Sequence, residues 1–158
     1  MQQTKVLVSE DNQVILKGLV KFLKQWGFEP IEVDNGDDAM KILESDHSIR
    51  LAIVDWNMPG LSGLQVCQRL RIRKEGPYVY VIMFSARKSL EEKILALEGG
   101  ADEYLVKPCK PSELRVRLGV GRRILETLQP LLEDPRSADE EAALSESEEK
   151  QEKGADDD

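Results

Sequence analysis

Cysteine and histidine are nearly missing from this 158-residue chain, which has only Cys67, Cys109 and His47. Two thiols do not make a disulfide framework, and their spacing is not that of metal ligands. A reducing compartment, the cytoplasm, is therefore the expectation, with both thiols inert. A single histidine argues against most zinc sites and against histidine-based catalysis, and His47 reads as a solvated loop residue. No apolar run is long enough to span a bilayer and no leader pattern is seen, so no membrane association is expected. Aromatics make up only 5% of residues, which leaves the core to Leu, Ile and Val.

An excess of basic charge is also lacking. The net charge is −8, but it is unevenly spread. Residues 129–158 hold 12 acidic and 3 basic groups, whereas residues 1–128 hold 18 acidic and 19 basic ones. The acidity thus belongs to the C-terminal segment, and a near-neutral globular part gives no sign of nucleic-acid binding. From Glu133 onward there is one leucine and no aromatic residue. Such a segment cannot bury enough apolar surface to offset its ordering entropy, so a disordered acidic tail is expected. Ser137-Ala-Asp-Glu140 fits a capping-box pattern, but an isolated helix of that length is marginal in water. The expected division is a domain over 1–128 and a tail or linker over 129–158.

Within the first part, strand and helix patterns alternate. Strands are expected at Lys5–Ser9, Pro30–Val33, Leu51–Asp55, Val79–Ser85 and Asp102–Val106. Pro30 suits an edge strand, and the continuous apolar run before Asp55 suits a central parallel strand buried on both faces. Helices are expected at Gln13–Trp26, Asp37–Glu44, Leu64–Arg73, Ser89–Glu98 and from Pro111 to about Leu128, with Gly27 and Gly99-Gly100 as stop signals. Five strands alternating with five helices define a doubly wound α/β domain with helices on both faces.

In such a sheet, strand C-termini converge on one edge, where ligands bind. Glu10 and Asp11, Asp55, Ser85 and Lys107 each follow or end a predicted strand, so they are expected in one pocket. Three carboxylates repel one another unless a cation compensates. Magnesium prefers oxygen ligands and keeps open positions. Asp55 is the candidate nucleophile, since carboxylates form aspartyl phosphates. Lys107 and a metal would neutralise a transferring phosphoryl group, and the Ser85 hydroxyl would donate to one of its oxygens.

Glu10-Asp11, Val54-Asp-Trp-Asn-Met-Pro-Gly60 with Gly63, Ser85-Ala86 and Tyr104-Leu-Val-Lys-Pro108 together resemble the receiver domain of bacterial two-component response regulators. The resemblance covers residues 4 to about 126. It implies a flavodoxin-like sheet in the order 2-1-3-4-5, with Asp55 as phosphoacceptor. It further implies Mg²⁺, with Mn²⁺ as a substitute, held by Glu10, Asp11, Asp55 and the Asn57 backbone carbonyl. Lys107 would contact the phosphoryl group and precede a cis proline, and Ser85 and Tyr104 would form a switch pair. On phosphorylation, Ser85 would approach the phosphate, Tyr104 would turn inward, and the face of the fourth helix, fifth strand and fifth helix would repack.

The implied partners are a sensor histidine kinase or phosphotransfer protein, then an effector or a second copy docked through the last helix. The activity is that of a switch with slow self-catalysed turnover, not of an enzyme, and no DNA-binding domain is expected in this chain. Two departures stand out. Cys109 occupies a position where the family often has Phe, and Arg87 lies at a position that influences phosphoryl lifetime. Trp56 is expected to be partly exposed beside the site. Arg115, Arg117, Arg122 and Arg123 read as solvated, or as partners of Asp102 or Glu103 across a dimer. A phosphohydrolase of the haloacid dehalogenase type also uses a strand-end Asp, but it places a second Asp two residues on, where this chain has Asn57. A dinucleotide-binding module would need Gly-x-Gly-x-x-Gly where Ser9-Glu-Asp-Asn12 stands.

Overall fold

A computed structural model describes residues 2–132, with side chains to residue 129. The expected tail beyond 132 and its capping-box pattern lie outside the described residues. Five strands alternate with five helices. They are β1 (Lys5–Ser9), α1 (Gln13–Gln25), β2 (Glu29–Val33), α2 (Gly36–Ser45) and β3 (Leu51–Val54), then α3 (Gly63–Ile72), β4 (Tyr80–Ser85), α4 (Leu90–Glu98), β5 (Glu103–Val106) and α5 (Pro111–Leu132). The last helix runs past the expected end near Leu128. The chain divides between Arg122 and Arg123, within α5.

All strand pairs are parallel, in the order β2-β1-β3-β4-β5. Every residue of β3 and β4 is buried, as their unbroken apolar sequence requires of central strands. Pro30 sits on edge strand β2 opposite Val6, where its missing N–H is tolerated. Alternate strand residues point to opposite faces. Leu7, Ala52, Val54, Val81 and Met83 join Met40, Leu43, Val66 and Leu70 in one core layer beneath α2 and α3. On the other face, α1 packs along β1 and β2, burying Leu16, Leu19, Val20 and Leu23. Each such fully buried side chain contributes about 1.5–3 kcal/mol.

The helix starts follow local chemistry. Asn12, Asn35, Ser62 and Ser89 cap α1 to α4, each accepting a backbone N–H from the first turn. Ser62 and Gln65 form a reciprocal capping box. Near the N-terminal end of β5, Asp102 accepts from Arg71 Nη2 at 2.8 Å, from the Val81 N–H at 2.8 Å and from the Tyr78 hydroxyl. Arg71 lies 4.2 Å from the Tyr78 ring centroid, so α3, β4 and β5 are tied at one corner.

Cys67 is fully buried, and burial pushes its thiol up to about 12. Only thiolate reacts with alkylating agents. Native protein treated with iodoacetamide at pH 8 should therefore remain unlabelled at Cys67 until denaturant is added, as read by peptide mass. Labelling of Cys67 in native protein would contradict this packing.

Candidate functional site

Backbone pairing continues one residue past three strand ends. The Glu10 N–H donates to the Val33 carbonyl at 3.1 Å, Asp55 N–H to Ser9 at 3.0 Å and Lys107 N–H to Ser85 at 2.9 Å. Glu10, Asp55 and Lys107 are thereby held at one sheet edge by the ladder itself, as strand-end residues are in open α/β sheets.

Two glycines let the loop after β3 fold back over this edge. The Gly63 N–H donates to the Trp56 carbonyl at 2.9 Å, and a Cβ on Gly63 would lie 2.2 Å from the Asp55 carbonyl oxygen. A Cβ on Gly36 would lie 1.9 Å from the Leu61 carbonyl oxygen. Neither approach leaves room for a larger residue.

One ligand oxygen from each of Glu10, Asp11 and Asp55 falls within 4.8 Å of the others. Glu10 and Asp55 are buried, whereas Asp11 is exposed. Lys107 Nζ lies 2.5 Å from Glu10 Oε2 and 3.2 Å from Asp55 Oδ2. The Asn12 N–H donates to Glu10 Oε1 at 3.2 Å. Burial raises the Glu10 carboxyl above its ordinary range, and the Lys107 hydrogen bond only partly opposes this. Three carboxylates face one ammonium, which leaves an all-oxygen donor set with room for a divalent charge. An open cleft of about 460 Å³ lined by Asp11, Asp34, Asn35, Asp37, Pro59 and Gly60 extends from Asp11 to solvent.

The Lys107–Pro108 peptide is cis. Ser85 is fully buried, and its Oγ accepts the Arg87 N–H at 3.2 Å. Tyr104 is turned inward, 9% exposed, and its hydroxyl donates to the Arg87 carbonyl at 2.6 Å. Burial raises the Tyr104 hydroxyl pKa. The Asn57 side chain is exposed and accepts from Arg87 Nη2 at 2.8 Å.

Trp56 differs from expectation. It is buried, 6% exposed, because the Arg87 guanidinium covers its ring at 4.7 Å and Tyr104 packs edge-on at 6.5 Å. Glu103 pairs with Arg117 of the same chain at 3.2 Å, and Asp102 with Arg71. Both carboxylates that could have met a partner's arginine are thus engaged internally. Asn12 was not read as a site residue, although it carried a readable signal as a helix cap after the acidic pair.

The chain matches the response regulator receiver domain family over residues 6–119 and belongs to it. Phosphorylation on aspartate and magnesium binding are standard for this family. The chain is 38% identical over 130 residues to the phosphate regulon transcriptional regulatory protein PhoB of Rhizobium meliloti, covering 81% of this chain and 57% of that one. It is also 38% identical over 125 residues to the probable transcriptional regulator ycf27 of Porphyridium aerugineum, covering 78% and 50%. The chain thus spans about half the length of these curated relatives. Among solved structures, the receiver domain of the Francisella response regulator 1452 superposes with a TM-score of 0.73 at 28% identity, covering 78% of this chain and 99% of that one. Among the described residues, no helix is long and apolar enough to cross a membrane.

Proposed function

We propose that residues 1–128 form a phosphorylation switch in which Asp55 accepts a phosphoryl group from a histidine kinase or phosphotransfer protein, with residues 129–158 as an acidic tail or linker. The observation that carries this reading is the Glu10, Asp11 and Asp55 oxygen cluster with Lys107 wedged against it. Glu10, Asp11, Asp55 and the Asn57 backbone carbonyl would hold Mg²⁺, or Mn²⁺ in its place. When bound, the ion supplies positive charge to the oxygens of the transferring group.

In the transfer, an Asp55 carboxylate oxygen forms the new bond to phosphorus. The bond from phosphorus to the donor's imidazole nitrogen breaks, and its electron pair stays on that nitrogen. The Lys107 ammonium leaves part of its hold on Asp55 and balances the added charge. The Ser85 hydroxyl turns to donate to a phosphoryl oxygen, whereas Tyr104, expected to turn inward on phosphorylation, is already inward in this structure. Output passes through the face formed by α4, β5 and α5 to an effector or a second copy. Leu90, Ile94, Leu97 and Val116 on these helices are all exposed, more apolar surface than a solvated face needs. The near-balanced charge of residues 1–128 favours protein partners over nucleic acid for this domain, and a cytoplasmic setting fits its thiols.

Beryllofluoride, a stable phosphoryl mimic, tests the site without turnover. A ligand that binds only the native state raises the unfolding midpoint. Mg²⁺ with beryllofluoride should raise the midpoint of the parent chain but not that of Asp11→Asn. An unshifted parent would remove the reading. Sedimentation velocity on the same samples then distinguishes a self-associating output from docking on another protein.

A further inference from the structure

Ser9 closes β1 one position before the acidic pair, and it is only 1% exposed. Its backbone serves the site directly, because its carbonyl accepts the Asp55 N–H at 3.0 Å. Its side chain lies on the same face of the sheet as Leu7. There the hydroxyl reaches Met58 Sδ at 2.8 Å and the Asn35 carbonyl at 3.4 Å. One hydroxyl proton serves one acceptor at a time, and the sulfur is the nearer. Met58 packs against the core layer and adjoins Asn57, whose backbone carbonyl is assigned to Mg²⁺ above. Two backbone contacts hold the same segment on either side. The Gly63 N–H donates to the Trp56 carbonyl at 2.9 Å, and the Gly36 N–H donates to the Pro59 carbonyl at 3.1 Å. Between these anchors, the Met58 sulfur is the point at which β1 takes hold of the turn. The second acceptor, Asn35, caps α2. Ser9 therefore stands where the turn before α2 meets the segment after β3.

We propose that Ser9 is a positioning residue for metal binding: by donating to Met58 Sδ it fixes the turn that carries Asn57, so that little ordering of this turn is left for the ion to bring about. This rests on the metal ligand set proposed above. A ligand carried on a mobile turn must be ordered when the ion binds, and that ordering subtracts from affinity. Methionine has three rotatable bonds, so its sulfur needs a partner if it is to occupy one place. A thioether is also a weak acceptor. Losing this contact leaves no strong polar group unpaired, and alanine at position 9 leaves no buried hydroxyl to satisfy. The consequence of the contact therefore falls on metal affinity and not on the stability of the metal-free fold.

The test is the unfolding midpoint of the full chain, measured in EDTA and then across a Mg²⁺ series. The EDTA value reports the metal-free fold, and the rise with Mg²⁺ gives the dissociation constant. Ser9→Ala should keep the EDTA midpoint of the parent and raise the Mg²⁺ dissociation constant about three- to tenfold, within the range of coupling between side chains in contact. Met58→Leu keeps the apolar bulk and removes the acceptor, and it should do the same. The double variant should bind Mg²⁺ no more weakly than either single one, a non-additivity that two separate packing losses would not produce. An unchanged dissociation constant in Ser9→Ala would overturn the proposal, and so would effects that multiply in the double variant. If Ser9→Ala does not fold, Met58→Leu decides alone, and an unchanged constant there overturns the proposal as well. A parent chain whose midpoint does not respond to Mg²⁺ would overturn the metal assignment itself, an outcome visible before any variant is made.

Discussion

Lys107→Met will unfold more easily than the parent chain in EDTA, by about 3 kcal/mol, and will recover most of that loss in Mg²⁺. The Lys107 ammonium lies within 3.2 Å of two carboxylates, of which Glu10 is only 2% exposed. Removing one member of a buried pair leaves its partners uncompensated, and this costs more than the pair itself contributes. Methionine retains most of the apolar stem, so the loss is mainly one of charge.

The deficit should depend on pH. Burial already raises Glu10 above 4.5, and loss of the ammonium raises it further. Below the ordinary carboxylate range Glu10 is protonated in both folded and unfolded states, and the deficit closes. As pH rises through and above 4.5, the unfolded state ionises first and the variant loses stability until the folded carboxyl ionises too. Urea midpoints at pH 4 and pH 7, each with and without Mg²⁺, check this. Equal stability of parent and variant in EDTA at pH 7, or a loss that Mg²⁺ leaves untouched, would contradict the charge balance drawn for the pocket.

Much of this site was legible because it depends on local signals that the topology then combines. Apolar runs ending in Ser9-Glu10-Asp11, Asp55, Ser85 and Lys107 announce strand ends, and parallel pairing brings strand ends together whatever lies between them. The continuous apolar character of residues 51–54 marked a central strand buried on both faces. The burial of Trp56 was not legible. A tryptophan following a strand-end aspartate has no local reason to be covered, and here it is covered by Arg87 and Tyr104, 31 and 48 positions away. The corner formed by Arg71, Tyr78 and Asp102 is likewise a tertiary event, as is the pairing of Arg117 with Glu103 inside the chain.

The central claim is that Asp55, among three neighbouring carboxylates, is the group that accepts phosphate. Asp11 is exposed, and Glu10 is buried against both Lys107 and the Asn12 N–H. Asp55 directly follows the central strand β3, held there by its N–H to Ser9, with Lys107 Nζ 3.2 Å from its Oδ2. The most direct measurement is intact mass, followed by peptide mapping, of the parent chain and Asp55→Ala after acetyl phosphate with Mg²⁺. One phosphoryl group is expected on the parent, mapped to Asp55 and not gained when EDTA replaces Mg²⁺, and none on the variant. A phosphoryl group still gained by Asp55→Ala, or mapped to another residue of the parent, would contradict it.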